Sequence, residues 1–273
     1  MMVALTGKLV LIGAGKMGGA MLDGWLKQGT APEQIAISDP MVSDEMQALA
    51  SQYGFAVNPD LADLTNVEVV LLAVKPQMMD QVLPALQVLQ GDKPLYLSVA
   101  AGRTIAGFET AFGTNAAIIR AMPNTPAAVG RGITAICPNA NCSQTQIDLA
   151  TSLLSAIGEV VKIDDEALMD AVTGVSGSGP AYVFHLIECM AAAGEAQGLP
   201  ADVAMQLARA TVAGAGELVH QSPLPASTLR ENVTSPAGTT AAALEVLMAE
   251  DAMPRILREG IAAATKRSQE LAG

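Results

Sequence analysis

Lys8-Leu-Val-Leu-Ile-Gly-Ala-Gly-Lys-Met-Gly18 is the stretch that decides the fold. Lys8 to Ile12 reads as a buried strand, and Met17 to Gln28 reads as a helix that stops at Gly29. Between them stands G-x-G-x-x-G, with Gly13, Gly15 and Gly18. In a strand–turn–helix of this kind the first glycine permits the tight turn. The second lets a pyrophosphate approach the backbone, and the third lets helix and strand pack closely. The helix N-terminus then turns its unpaired N–H groups towards the phosphates. Glycine turns are common, so the context carries the reading. A second strand, Gln34 to Ser38, ends at Asp39, 21 residues after Gly18, which is the spacing of a dinucleotide fingerprint.

Asp39 bears on which dinucleotide is taken. A carboxylate there hydrogen-bonds a ribose 2′-hydroxyl and repels a 2′-phosphate. No Arg or Lys occurs in Asp39-Pro-Met-Val-Ser-Asp-Glu45, so residue chemistry leans to NAD. The alternative is that Asp39 turns away at Pro40 and caps a turn.

Outward from this stretch the first half alternates. Ser43 to Tyr53 reads as a helix with Ser43 as its N-cap, and Pro76 to about Leu89 as another. Further strands are expected at Val67 to Ala73, Leu95 to Val99, Ala116 to Arg120, Ile133 to Cys137 and Val160 to Ile163. Near-continuous apolar strands alternating with helices predict a parallel, doubly wound Rossmann-like sheet. After Asp164-Asp165 no convincing strand remains. Helices are expected at Pro180 to Gln197, Pro200 to His220, Gly238 to Met248 and Asp251 to Leu271. The change puts a domain boundary near 163, giving an α/β dinucleotide-binding domain (1–163) and an all-helical domain (164–273).

Composition excludes several classes. Of 273 residues, 51% are hydrophobic and 15% charged, which is not a disordered chain. Lys plus Arg is 15 against 27 Asp plus Glu, a net charge of −12, which repels nucleic acid. No apolar run is long enough to span a membrane. Three cysteines, two histidines and no Cys-x-x-Cys predict no disulfide framework, no metal site and a reducing, cytoplasmic setting. The aromatic share is only 3%. An alanine-rich, methionine-rich second half suits close helix packing, including across a subunit interface.

Five further segments are too polar or glycine-rich for plain core. They are Ala73-Val-Lys-Pro-Gln77, Ser98-Val-Ala-Ala-Gly102, Arg120-Ala-Met-Pro-Asn-Thr-Pro126, Thr173-Gly-Val-Ser-Gly-Ser-Gly-Pro-Ala-Tyr-Val183 and Asn232-Val-Thr-Ser-Pro-Ala-Gly-Thr-Thr240. The first three end expected strands, where doubly wound sheets bind ligands. Taken together, and over nearly the whole chain, these segments resemble the pyrroline-5-carboxylate reductase family. One departure stands out. Ala237 occupies a position where that family usually has glycine. Alanine is strained there if φ is positive; an ordinary helix N-terminal conformation, in which it is harmless, is expected.

The resemblance implies an NADPH- or NADH-dependent reduction of 1-pyrroline-5-carboxylate to L-proline, the last step of proline biosynthesis. It implies homo-oligomers: a homodimer, or a ring of dimers such as a homodecamer. It also implies sites. Gly13, Ala14, Gly15, Lys16, Met17 and Gly18, with Ser38 and Asp39, would hold the pyrophosphate and adenosine, and Asn58 would lie near the adenine. Ala73, Val74, Lys75 and Pro76 would run along the cofactor, with Ala100 and Asn124 near the nicotinamide, while Asn232 would reach it from the helical domain. Glu166, Ser178, Ser235, Gly238, Thr239 and Thr240 would surround the substrate, with Thr240 catalytic and no metal.

The chemistry suits those residues. A hydride adds to the carbon of a cyclic C=N bond, which is most electrophilic as the iminium. No oxyanion forms, so neither His nor metal is required, and positioning dominates. Thr240 would hydrogen-bond the ring nitrogen, and Glu166 would favour the cation or hold the site. The unpaired N–H groups where Ser235 to Thr240 opens a helix would take the carboxylate.

Plainer readings stand beside these. Ser235 as a simple N-cap, Glu166 as a first-turn acid, His185 as a core or interface residue, and Arg103, Arg120 and Arg131 as structural ion pairs are all ordinary uses. A β-hydroxyacid dehydrogenase is the nearest rival, but Pro180 to Gln197 has no lysine, and that family places its catalytic lysine on such a helix. A non-catalytic dinucleotide-binding module would have no need of Thr239 and Thr240.

Overall fold

The expected strands form one sheet. The computed structural model describes residues 5–272, so positions 1–4 and 273 of the expected domains lie outside the described residues. The strands are β1 (Lys8–Ile12), β2 (Ile35–Ser38), β3 (Ala56–Val57), β4 (Val67–Leu72), β5 (Leu95–Ser98), β6 (Ala117–Met122), β7 (Gly132–Pro138) and β8 (Gly158–Lys162). Their order is β3-β2-β1-β4-β5-β6-β7-β8. β1 and β4 are parallel neighbours, but the chain builds outward to one side through β2 and β3 and to the other from β4, and this reversal of strand order makes the switch-point crevice where doubly wound sheets take their ligands. The two-residue β3 is too short to show as a strand pattern.

One expectation is corrected. The sheet is not wholly parallel, because β7 runs antiparallel to β6, while β8 runs parallel to β7. The link from β6 to β7 holds only a short 3-10 turn, Thr125–Val129, too little chain for a parallel crossover. A second correction concerns Pro76 to Leu89. It is a 3-10 turn (Pro76–Met78), a single α-turn α3 (Met79–Val82) and a 3-10 stretch (Leu83–Asp92). Pro84 lacks the N–H that a continuous α-helix needs there.

Both faces of the sheet are covered. The remaining helices of this part are α1 (Lys16–Lys27), α2 (Asp44–Tyr53), α4 (Ile105–Phe112), α5 (Gln144–Leu154) and α6 (Met169–Val172). On one face Met21, Leu22 and Trp25 of α1 pack with Leu153 and Leu154 of α5 over Leu9, Leu11 and Leu71. The Trp25 indole N–H donates to the Leu153 carbonyl at 2.8 Å, so the buried ring leaves no polar atom unpaired. On the other face Leu86, Phe108 and Met169 cover Val10, Val70 and Ile118. Ser43 caps α2 by accepting the Met46 N–H, as its residue type predicts.

The second compact unit is Ser178–Ala264. It contains α7 (Gly179–Ala196), α8 (Ala201–Gln221), α9 (Ala226–Asn232), α10 (Thr239–Leu247) and most of α11 (Met253–Ala272). Helices α7 and α8 meet through small residues: Ala191, Ala204 and Ala208 are buried, and a Cβ on Gly194 would sit 3.3 Å from that of Ala204. The first compact unit runs on to Gly177. The segment from 164 to 177 stays with the sheet because Met169 is fully buried in its core. The chain also returns to that first unit from Thr265 onward, where Ser268 donates to Asp170 Oδ1 at 2.7 Å.

Candidate active site

Parallel strands end at a common edge, so the segments after β1, β2, β4, β5 and β6 gather there. Gly13 leaves β1 with φ +91°, a conformation that side-chain-bearing residues rarely adopt. Its N–H donates to the Ser38 carbonyl at 2.9 Å. A Cβ on Gly13 would press on Val74 Cγ1 at 2.8 Å, and one on Gly18 would collide with the Gly13 carbonyl. The Gly13 loop, Ala73 and Val74 are therefore in direct contact at the switch point. Gly15 is different: a Cβ there would meet nothing within 4 Å among the described residues. It is the N-cap of α1, with no side chain capping the helix. The N–H groups of the first turn are thus left to an incoming group, and the residues fit a pyrophosphate. Lys16 is exposed beside this opening, and Met17 is half-buried.

Asp39 is pinned by backbone. Its Oδ2 accepts the Ala14 N–H at 2.7 Å, and its Oδ1 accepts the Met41 N–H at 2.8 Å. The carboxylate thus caps the turn at Pro40 and also ties β2 to the glycine loop. Asn58, at φ +49°, closes the other side: its Oδ1 accepts the Asp39 N–H at 2.8 Å, and its Nδ2 donates to the Asp39 carbonyl at 2.9 Å.

Lys75 is exposed and precedes the Pro76 turn. The Pro76 carbonyl accepts from Arg103, whose guanidinium also grips Asp80 at 2.8 and 3.0 Å. That bond to Arg103 holds the Asp80 carboxyl below its ordinary pKa. Ala100 is 4% exposed, and its N–H is taken by Ser98 Oγ. Asn124 is half-buried, with both ends of its amide engaged inside the protein.

Glu166 is joined to the sheet. Its Oε1 accepts from Arg120 Nη1 at 2.8 Å and from the Ile105 N–H at 2.9 Å. Arg120 is only 5% exposed, so the pair neutralises a charge held inside the fold and places an anion at the N-terminus of α4. Burial first, then the Glu166 carboxylate, pushes the nearby Cys137 thiol up. The signal for this pairing is present in sequence: an Arg inside the apolar strand Ala117–Met122 requires an acidic partner within reach. Which acid was not visible.

The remaining expected residues lie in the second unit. Ser178 is the N-cap of α7 without a capping side-chain bond. Asn232 ends α9 and is exposed. Ser235 is exposed, and its carbonyl accepts the Gly238 N–H at 3.0 Å. Gly238, not Ser235, is the N-cap of α10, and no side chain caps that helix. Thr239 is exposed, and Thr240 is half-buried. Ala237 overturns its expectation, since it sits at φ +56°. The turn needs that backbone whichever residue fills it, so alanine bears the strain that glycine avoids. His185 is on the surface of the chain, 2.9 Å from Glu188.

The chain matches known proteins along its length. Residues 166–271 match the family model for pyrroline-5-carboxylate reductase dimerisation, and residues 8–102 match that for NADP oxidoreductase, coenzyme F420-dependent. Pyrroline-5-carboxylate reductase of Synechocystis sp. is 43% identical over 266 residues, covering 97% of this chain and 98% of its own. That of Pseudomonas aeruginosa is 38% identical, covering 98% and 97%. A pyrroline-5-carboxylate reductase structure from Coxiella burnetii superposes with TM-score 0.92 at 31% identity, covering 98% of this chain and 100% of its own. One from Plasmodium falciparum, with NADP bound, gives 0.80 at 27% identity, covering 99% and 100%. This chain belongs to the pyrroline-5-carboxylate reductase family.

Proposed function

We propose that the protein is an NAD(P)H-dependent oxidoreductase that reduces 1-pyrroline-5-carboxylate to L-proline. The observation that carries the reading is the opening at Gly15, where an uncapped helix start meets empty space at the switch point. Kinship with pyrroline-5-carboxylate reductases over the whole length supports the choice of substrate.

The residues divide the work. Backbone N–H groups at Gly15 to Gly18 take the pyrophosphate, Asp39 and Asn58 flank the adenosine, and Ala73 to Pro76 line the path to the nicotinamide. A bound dihydronicotinamide supplies the hydride. Asn232 completes the cofactor contacts, and Thr240 Oγ1 hydrogen-bonds the ring nitrogen of the imine and holds its proton. The uncapped N–H groups at the start of α10 donate to the substrate carboxylate, with Ser178, Ser235, Gly238 and Thr239 around the ring. Glu166, tied to Arg120, acts through the structure it braces.

Asp39 supports use of NADH at least as readily as NADPH, because its charge lies at the end of β2 with no basic residue following. The family's dimerisation segment supports a homo-oligomer. Phe184, Leu207, Leu218 and Ile256 are more than half exposed in the single chain, and such apolar faces favour burial against a second copy. A homodimer, or a ring of dimers, is the assembly proposed. Among the described residues no helix is long and apolar enough to cross a membrane. Cys137, Cys142 and Cys189 are free, which suits a reducing cytoplasm.

The test is oxidation of NADH and NADPH, side by side, by purified protein with pyrroline-5-carboxylate. Substrate-dependent oxidation with formation of proline is expected. A folded protein that oxidises neither cofactor sinks the proposal.

A further inference from the structure

Asn124 follows β6, and its side-chain amide is spent on two backbone groups. Its Oδ1 accepts the Ile133 N–H at 3.0 Å, and its Nδ2 donates to the Ser176 carbonyl at 3.3 Å. These partners also fix the amide's orientation, since Ile133 offers only a donor there and Ser176 only an acceptor. Ser176 lies in a π-helical turn, Thr173–Gly177, an uncommon element that concentrates at functional sites.

The Ser176 carbonyl needs this outside donor. The residue four positions on, which would supply the α-helical N–H, is Pro180, and proline has none. The next N–H, that of Ala181, is bonded to the Ser178 carbonyl at 3.0 Å. A half-buried carbonyl without a donor is costly, and Asn124 fills the gap. The wide turn is braced from within as well: Thr173 Oγ1 donates to the Met169 carbonyl at 2.9 Å, and Ser176 Oγ to the Val172 carbonyl at 3.0 Å. At Gly177 it lies so close to the end of β6 that a Cβ would come within 2.7 Å of Met122 Cε.

We propose that Asn124 is a positioning residue for the reaction. Its amide locks the Thr173–Gly177 turn to the ligand-binding edge of the sheet, and so sets where the chain stands as it enters Ser178. On this account Asn124 does not touch the nicotinamide. The proposal rests on the reductase reading, and the experiment separates the two.

Asn124→Asp and Asn124→Ala are compared with the unaltered protein for kcat, KM and cofactor Kd across pH. The aspartate keeps the acceptor for Ile133. When ionised it sets an oxygen against the Ser176 carbonyl; when protonated it regains a donor. Misplacement of a site segment lowers turnover by roughly tenfold to a hundredfold. That loss is expected for Asn124→Ala at every pH and for Asn124→Asp near neutrality. Turnover of Asn124→Asp relative to the unaltered protein should rise several-fold as pH falls towards about 5. Cofactor Kd should stay within about threefold for both variants, and the Ile133 amide should exchange faster in Asn124→Ala alone. If Asn124→Ala does not fold, the recovery of Asn124→Asp at low pH still decides. A cofactor Kd weakened tenfold or more with no pH-dependent recovery would make Asn124 a cofactor ligand and overturn the proposal. So would unchanged turnover in both variants. An unaltered protein without turnover overturns the reductase reading and takes this proposal with it.

Discussion

Arg120 and Glu166 stand 46 residues apart in the chain and are joined at 2.8 Å, with the guanidinium almost wholly enclosed and the carboxylate partly open to water. The asymmetry orders the cost of breaking the pair. Glu166→Ala strands a buried cation and should destabilise by about 3 kcal/mol. Arg120→Met leaves a carboxylate that keeps the Ile105 N–H and reaches solvent, and should cost only about 1 kcal/mol. Denaturant midpoints measure both; the reverse order would show that Arg120 is not the enclosed partner.

Tyr96 is 3% exposed and stacks on Phe112 with ring centroids 3.7 Å apart. Its hydroxyl has no hydrogen-bond partner among the described residues, and burial pushes its pKa from 10.0 to about 12. The folded state therefore holds the phenolic proton more tightly than the unfolded state. Stability from this source is complete below pH 10 and falls as pH rises towards 12, by about 2–3 kcal/mol in all. Tyr96→Phe should remove that alkaline decline and cost nothing at neutral pH, because the orphaned hydroxyl goes with it. Alkaline unfolding curves of the two proteins would be superimposable if the hydroxyl were solvated.

Ala237 holds φ +56°. Ala237→Gly relieves that strain but gives the unfolded chain more freedom, so the net gain should be about 0.5–1 kcal/mol. A lower thermal midpoint for the variant would mean that the turn does not hold this backbone in solution.

Asp39 occupies two backbone N–H groups, those of Ala14 and Met41. Asp39→Ser removes the charge at the end of β2. The ratio of kcat/KM for NADPH to that for NADH should rise by roughly tenfold, the size of one lost charge repulsion near a phosphate. An unmoved ratio would place the ribose away from Asp39.

Thr240 lies in the first turn of α10 with its side chain half-buried. Thr240→Ala should lower kcat by roughly a hundredfold, the range of a lost proton donor, while cofactor Kd stays within about twofold. Full activity in the variant removes Thr240 from the chemistry.

The local elements and the glycine loop were legible in the order of residues alone. Lys8–Ile12, the turn at Gly13 and the helix from Lys16 follow from apolar runs and from a backbone only glycine tolerates, and both are properties of neighbouring residues. The five polar or glycine-rich segments carried the family, because reacting groups sit on loops whose residues cannot be exchanged for ordinary core. The rest came from contacts between segments far apart in the chain. The antiparallel turn of β7 depends on how little chain joins it to β6, and the partition after Gly177 on where Met169 found its cavity. The partners of Asp39, Arg120 and Asn124 are backbone amides and a carboxylate brought from 25, 46 and 52 residues away. Residue type declares that such a group needs a partner, but which one it meets is set by the crossing of strands and turns. Ala237 shows the same limit: its identity marked the position, and only the path of the backbone showed that the position demands φ > 0.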